Sequence, residues 1–269
     1  MSELYLETTG IGPDIVLLHG WGLNLRVWDG LVAAMRGRFR LITVDLPGHG
    51  KSPWSAGRVT PAEQAWLVHS AVSRVSHRYS LLGWSLGGQI ALDLAAAMPA
   101  SIERLILVAS TPRFAASPDW PHGMKPAALE KLGTQLRDDY HRTVDDFLEL
   151  QVRGSSDGAN VLAQLRSALF VHGEAQVAAL EAGLDTLGTT DLRAGLPNVR
   201  MPTLVIAGQH DRISSPAASR FIAQTVPQGR YVEIRRAAHA PFLSHQLEVV
   251  RELNEFLKAP IRKKIRVAR

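Results

Sequence analysis

Ser80-Leu81-Leu82-Gly83-Trp84-Ser85-Leu86-Gly87-Gly88 is the stretch whose reading decides the fold. An apolar run from Tyr79 to Leu82 enters a tight Gly-X-Ser-X-Gly turn. The chain then leaves directly into Gln89 to Ala97, strong helix formers with apolar residues at helical spacing. Strand, sharp turn and helix in immediate succession form a nucleophile elbow, which lifts a serine hydroxyl above the C-terminal edge of a parallel sheet. Gly83 and Gly87 lack a Cβ, so the two backbones can close up while Ser85 occupies a strained turn conformation. The helix that follows aims its free N–H groups and positive dipole end at the place where negative charge would develop.

Outward from the elbow, strands and helices alternate. Leu4 to Thr8 alternates weakly, as an edge strand does, before Gly10, Gly12 and Pro13 turn the chain. Ile15-Val16-Leu17-Leu18, Arg40 to Val44, Arg104 to Ala109, Pro202 to Gly208 and Tyr231 to Ile234 are short apolar runs of strand character. Helical patterns fill Val27 to Met35, Thr60 to about Val75, and Leu247 to Leu257. Thr60-Pro61-Ala62-Glu63 carries the cap, N1 proline and early acid of a helix start. This rhythm predicts an α/β fold with a mostly parallel, doubly wound sheet.

After Pro112 the rhythm changes. Residues 113–192 contain no strand-like run. Four helices are expected, at Leu129 to Leu136, Val144 to Val152, Val161 to Phe170 and Val177 to Leu187. The expected organisation is therefore a core from residues 1–112 and 193–258, a helical cap from 113–192, and a basic tail from 259–269. Phe147 and Leu150 are candidates to line a pocket and Gln151 to offer a polar contact; packing between helices explains them equally well.

Composition bounds the function. The chain has 269 residues, no cysteine, 46% apolar and 20% charged residues, which describes a globular protein without disulfides or thiolate metal sites. The formal charge of +5 is local: six basic residues lie between Lys258 and Arg269, and without them 24 basic face 25 acidic residues. That distribution argues against a nucleic-acid-binding face. No apolar run reaches the ~18 residues of a membrane span, and Met1 to Gly10 has no signal-peptide pattern. A cytoplasmic monomer with no nucleic-acid or membrane partner is expected.

A serine hydroxyl needs a base to take its proton and a third group to orient that base. Ser85, Asp211 and His239 each follow a strand, in the chain order serine, acid, histidine. Asp185 and Asp191 are weaker acids because they lie in helical or linking segments, and His210 precedes Asp211 at the same strand end. The glycine-rich loop His19-Gly20-Trp21-Gly22 follows an inner strand, so the N–H of Trp21 is expected to pair with that of Leu86 as an oxyanion hole. His19 is read as a brace for that loop. Gly50-Lys51-Ser52 imitates the end of a phosphate loop, but Asp45 stands where its first glycine belongs and Pro47 removes a donor, so a nucleotide site is excluded. The expected reaction requires no metal and no organic cofactor.

The chain from about Leu4 to Leu257 resembles the α/β-hydrolase superfamily and, within it, the pimeloyl-acyl-carrier protein methyl ester esterases. The residues that carry the resemblance are Leu17 to Asn24, Gly83 to Gly88, Asp119-Trp120-Pro121, Arg142-Thr143-Val144, Phe147-Leu148, Leu150-Gln151 and Ala237 to Phe242. It implies a serine carboxylesterase that frees the pimeloyl carboxylate for biotin synthesis. It also implies substrate contacts from Trp21, Ser85, Leu86, Phe147, Leu148, Glu149, Leu150, Gln151 and His239, and docking of acyl-carrier protein by basic residues, for which Arg142, Arg153 and Arg166 are the candidates. The sequence departs from that pattern at Asp145 and Asp146, two acids beside Arg142. Other serine hydrolases of this fold, such as short-chain carboxylesterases or lactonases, and a catalytically silent binding protein are the alternative readings.

Overall fold

The computed structural model describes residues 3–54 and 60–260. In chain order the elements are β1 (Leu6–Gly10), β2 (Asp14–Leu18), α1 (Asp29–Met35), β3 (Arg40–Val44), α2 (Pro61–Val72), β4 (Tyr79–Trp84), α3 (Leu86–Ala97) and β5 (Ile102–Val108). Then come α4 (Pro126–Asp138), α5 (Tyr140–Val152), α6 (Gly158–His172) and α7 (Val177–Thr189). The α/β alternation returns with β6 (Thr203–Gly208), α8 (Pro216–Thr225), β7 (Gly229–Ile234), α9 (Pro241–Ser244) and α10 (Gln246–Lys258).

The strands form a seven-stranded sheet in the order β1-β3-β2-β4-β5-β6-β7. Only β1 runs antiparallel, paired with β3 at the edge; the other pairings are parallel. Every residue of β4 and β6 is buried, because helices cover both faces of the sheet. Winding reverses between β2 and β4: β3 lies on one side of β2 and β4 on the other. A crevice opens at the carboxyl ends of strands flanking such a switch point. Here those ends carry the His19 loop and Ser85.

Local sequence explains the elements. Thr60 Oγ1 accepts from the Glu63 N–H while the Glu63 carboxylate accepts from the Thr60 N–H, and Pro61 occupies the first helical turn, a complete capping box for α2. The helix expected from Val27 begins as a 3₁₀ turn at Leu25–Trp28, capped by Asn24, before α1 takes over. β1 lies at Leu6–Gly10, two residues beyond its expected start and end. α8 was not anticipated, although Ser215 caps it and Pro216 opens it. The predicted tail lies, from residue 261 onward, outside the described residues.

Candidate active site

The elbow is tight because nothing but hydrogen fits at its glycines. A Cβ on Gly83 would strike the Gly87 carbonyl, and one on Gly87 would strike the carbonyls of Leu18 and His19. Ser85 sits at φ 57° and ψ −118°, a left-handed conformation that costs on the order of 1–3 kcal/mol in a non-glycine residue. The surroundings hold it there: Ser85 N–H donates to Val108 O at 3.1 Å, and Ser110 Oγ donates to Ser85 O at 3.2 Å.

Three side chains from three strand ends meet. Ser85 Oγ lies 2.9 Å from His239 Nε2, and His239 Nδ1 lies 2.8 Å from Asp211 Oδ2. A carboxylate only accepts, so Nδ1–H is the donor and Nε2 is left with its lone pair toward the serine. Asp211 Oδ1 accepts from the N–H groups of Ile213 and Ser214 at 2.8 and 2.9 Å, which fixes the carboxylate in its turn. The histidine loop is held by two further bonds. Trp84 Nε1–H donates to His239 O at 2.8 Å, and His239 N–H donates to Gln151 O at 3.0 Å.

The competing candidates lie elsewhere. His210 is exposed and bonds Gly154 O; Asp191 pairs with Arg113 and Arg193; Asp185 lines a cleft between α4 and α7. His19 Nδ1–H donates to Gly20 O at 2.8 Å and Nε2 accepts from Leu46 N–H at 3.0 Å, so both ring nitrogens are spent on the loop. Full burial pushes its pKa well below the ordinary histidine range, and it stays neutral.

The loop bearing Trp21 runs hard against the elbow: a methyl on Gly20 would stand 3.3 Å from Ser85 Cβ. Leu86 is the first residue of α3, where an N–H has no intrahelical acceptor. The Trp21 indole is buried and reaches the inserted helices. Its Nε1–H donates to Leu180 O of α7 at 2.9 Å, and its ring meets Phe147 of α5 edge to face at 4.9 Å. Gly183 makes this approach possible, since a Cβ there would lie 2.7 Å from Trp21 Cδ1.

Helical geometry sorts the α5 candidates. Phe147 and Gln151 lie one turn apart on α5: the ring of the first touches Trp21, and the main-chain carbonyl of the second accepts from His239 N–H. Gln151 is 1% exposed, and its Oε1 has no hydrogen-bond partner among the described residues. Leu150 is half-buried beside them. Leu148 instead packs into the α5–α6 junction with Tyr140, Val144 and Leu169. Glu149 faces solvent and pairs with Arg166 at 3.3 Å. The structure does not bring these two to the serine, because a helix turns them about 100° and 200° away from Phe147.

The three expected docking arginines divide likewise. Arg166 Nε and Nη2 each lie 2.6 Å from an Asp145 oxygen, so its charge is neutralised within the fold. Arg142 is exposed, with Asp146 at 3.9 Å. Arg153 is exposed at the C-cap of α5 with no carboxylate partner among the described residues.

Sequence reasoning missed the residues that fasten the insert to the sheet. His172, in the last turn of α6, places Nε2 2.8 Å from Asp45 Oδ2, and Asn24 Nδ2 donates to Ala168 O at 3.1 Å. Asp45 also accepts from the N–H groups of Leu25 and Lys51, and its burial pushes its pKa upward. The turn that imitates a phosphate loop thus wraps a carboxylate. No local signal marks His172, whose partner is 127 residues away. Among the described residues no group of three or more His, Asp or Glu is arranged to hold a metal.

The profile of the alpha/beta hydrolase fold family matches residues 13–246. The chain is 45% identical over 244 residues to the pimeloyl-acyl-carrier protein methyl ester esterase of Nitrosomonas europaea, covering 91% of this chain and 95% of that protein. It is 41% identical over 254 residues to the protein of the same name from Stenotrophomonas maltophilia, covering 94% and 96%. Among solved structures, the esterase EaEST of Exiguobacterium antarcticum superposes with a TM-score of 0.88 at 22% identity over 96% of both chains. The enol-lactonase of Burkholderia xenovorans gives 0.82 at 26% identity over 96% and 97%. With its elbow, its sheet order and a profile match across most of its length, the chain belongs to the alpha/beta hydrolase family.

Proposed function

We propose that this chain is a serine carboxylesterase that hydrolyses the methyl ester of pimeloyl-acyl-carrier protein, releasing methanol and a free pimeloyl carboxylate. The observation that carries the chemistry is the chain of contacts Ser85 Oγ, His239 Nε2, His239 Nδ1, Asp211 Oδ2 at 2.9 and 2.8 Å. The substrate is supported by relatives of that name at up to 45% identity over nearly their whole length.

In the reaction, Ser85 Oγ attacks the ester carbonyl as His239 Nε2 takes its proton. The tetrahedral oxyanion is received by the N–H groups of Trp21 and Leu86, donors that are fixed before charge develops. His239 then protonates departing methoxide, leaving an acyl-serine. Water repeats the sequence: His239 accepts its proton, the hydroxide adds to the acyl carbon, and Ser85 leaves with the proton returned. Asp211 holds the tautomer throughout and stabilises the transient imidazolium. Helices α4–α7 serve as the cap. Trp21, Phe147 and Leu150 offer apolar surface to the methylene chain, and Gln151 offers a polar contact.

The test is steady-state hydrolysis of the carrier-linked methyl ester beside short-chain p-nitrophenyl esters, with Ser85→Ala as the control. Turnover of the carrier-linked ester that falls by ~10³-fold or more in the variant supports the reading. Hydrolysis of small esters alone would reduce it to a general carboxylesterase.

A further inference from the structure

We infer that the acyl-carrier partner docks on an arginine rim formed by Arg153, Arg212, Arg235 and Arg236, at the edge of the catalytic loops. The inference rests on the carrier-linked substrate proposed above and names the surface that receives it. Three segments meet at this rim and are stitched by hydrogen bonds. His210 Nδ1–H donates to Gly154 O at 2.7 Å, Ser156 N–H to Arg236 O at 3.2 Å, and Arg236 N–H to Gln209 Oε1 at 3.1 Å. The same segments carry Asp211, His239 and Gln151, since Arg212 follows Asp211, Arg236 lies three residues before His239, and Arg153 lies two after Gln151. A partner seated here delivers its acyl arm beside Ser85.

Charge pairing distinguishes the rim from the arginines of the cap helices. The arginines of the cap helices each face a carboxylate: Arg166 is bonded to Asp145 and Glu149, Arg142 lies 3.9 Å from Asp146, and Arg137 lies 3.5 Å from Glu181. Arg153, Arg212, Arg235 and Arg236 are all exposed, and among the described residues none has a carboxylate partner. Asp157, the nearby acid at the start of α6, is engaged by Asn160 Nδ2 at 3.1 Å. Four unpaired guanidinium groups at one edge repel one another and attract an acidic surface, steering its approach.

Binding is measured directly, apart from turnover. Fluorescence anisotropy of labelled acyl-carrier protein is titrated with the full chain at low and at physiological salt. The variants are R153E, R212E, R235E, their combination, R236G and, for comparison, R142E; glycine at 236 keeps the left-handed backbone, where φ is 61°. Melting temperatures check that each variant folds. The combined reversal should weaken binding by about tenfold or more and flatten its salt dependence, with R142E close to the parent. Weakening by R142E but not by the combined reversal would overturn the inference, as would absence of carrier binding to the parent chain. Tighter rim-dependent binding of an oligonucleotide or anionic vesicles would also overturn it. If the carrier binds through the rim but its methyl ester is not hydrolysed, the docking surface stands and the substrate assignment falls.

Discussion

Replacing Gly183 by alanine should damage catalysis more than stability. The added Cβ would lie 2.7 Å from Trp21 Cδ1 and 3.0 Å from its Nε1, about 1 Å inside ordinary contact. The indole cannot retreat freely, because it is buried, bonded to Leu180 O at 2.9 Å and pressed by Phe147. Alanine is worth about 1 kcal/mol more than glycine inside a helix, whereas overpacking costs about 1–3 kcal/mol. The net loss is then at most about 2 kcal/mol, a few degrees in melting temperature. The displaced Trp21, however, carries one of the two proposed oxyanion donors on its backbone. A misplacement of about 1 Å at such a group is worth ~10²-fold in rate. Steady-state kcat on a short-chain p-nitrophenyl ester should fall by about that factor, with KM changed little and the thermal transition intact. Full activity in Gly183→Ala would refute the idea that α7 sets the position of the oxyanion loop, as would a loss that merely tracks unfolding.

Asp211→Asn presents an amide donor to His239 Nδ1, which turns the ring's N–H toward Ser85 and removes the base. A loss of about 10⁴-fold in kcat with an unchanged melting temperature is expected, and a loss below tenfold would sink the tautomer argument. Burial holds the His49 pKa at about 4, against 6.5 when exposed. The folded state therefore binds fewer protons than the unfolded chain between those values, and stability present above pH 6.5 is lost as pH falls toward 4. Complete titration is worth about 3 kcal/mol. Urea unfolding of His49→Phe at neutral and acidic pH should show a shallower slope than the parent; an identical slope would assign the acid sensitivity to His19, which is depressed in the same direction.

The sheet and the triad were legible because their signals are local and repeated. Ile15 to Leu18 and Tyr79 to Leu82 announce buried strands by continuous apolar runs, and the glycines around Ser85 announce the elbow. Asp211 and His239 were found by strand-end position and chain order. What escaped was decided by distant partners. Leu148 and Glu149 look like Phe147 in a list of neighbours, yet helix rotation sends one to α6 and the other to solvent. Arg166 is a cation by sequence, but Asp145, on the facing helix, consumes its charge. His172 and Trp84 hold loops through bonds spanning 127 and 155 residues, beyond any motif. The start of α8 is readable at Ser215-Pro216, between Asp211 and a strand.

The carbonyl of Gln151 limits how this enzyme can be re-engineered. A chimaera that replaced residues 113–192 with the helices of another hydrolase would inherit a main-chain donor at His239, an indole donor at Trp21 and a carboxylate at Asp45. In this chain the two donors are answered from the excised segment, by Gln151 and Leu180, while Asp45 would lose His172 and keep the N–H groups of Leu25 and Lys51. Each buried donor left unanswered costs about 1–3 kcal/mol, and both sit in the loops of the proposed base and oxyanion hole. Substrate choice and reactivity are thus not separable modules here; a transplant has to carry its own matching acceptors.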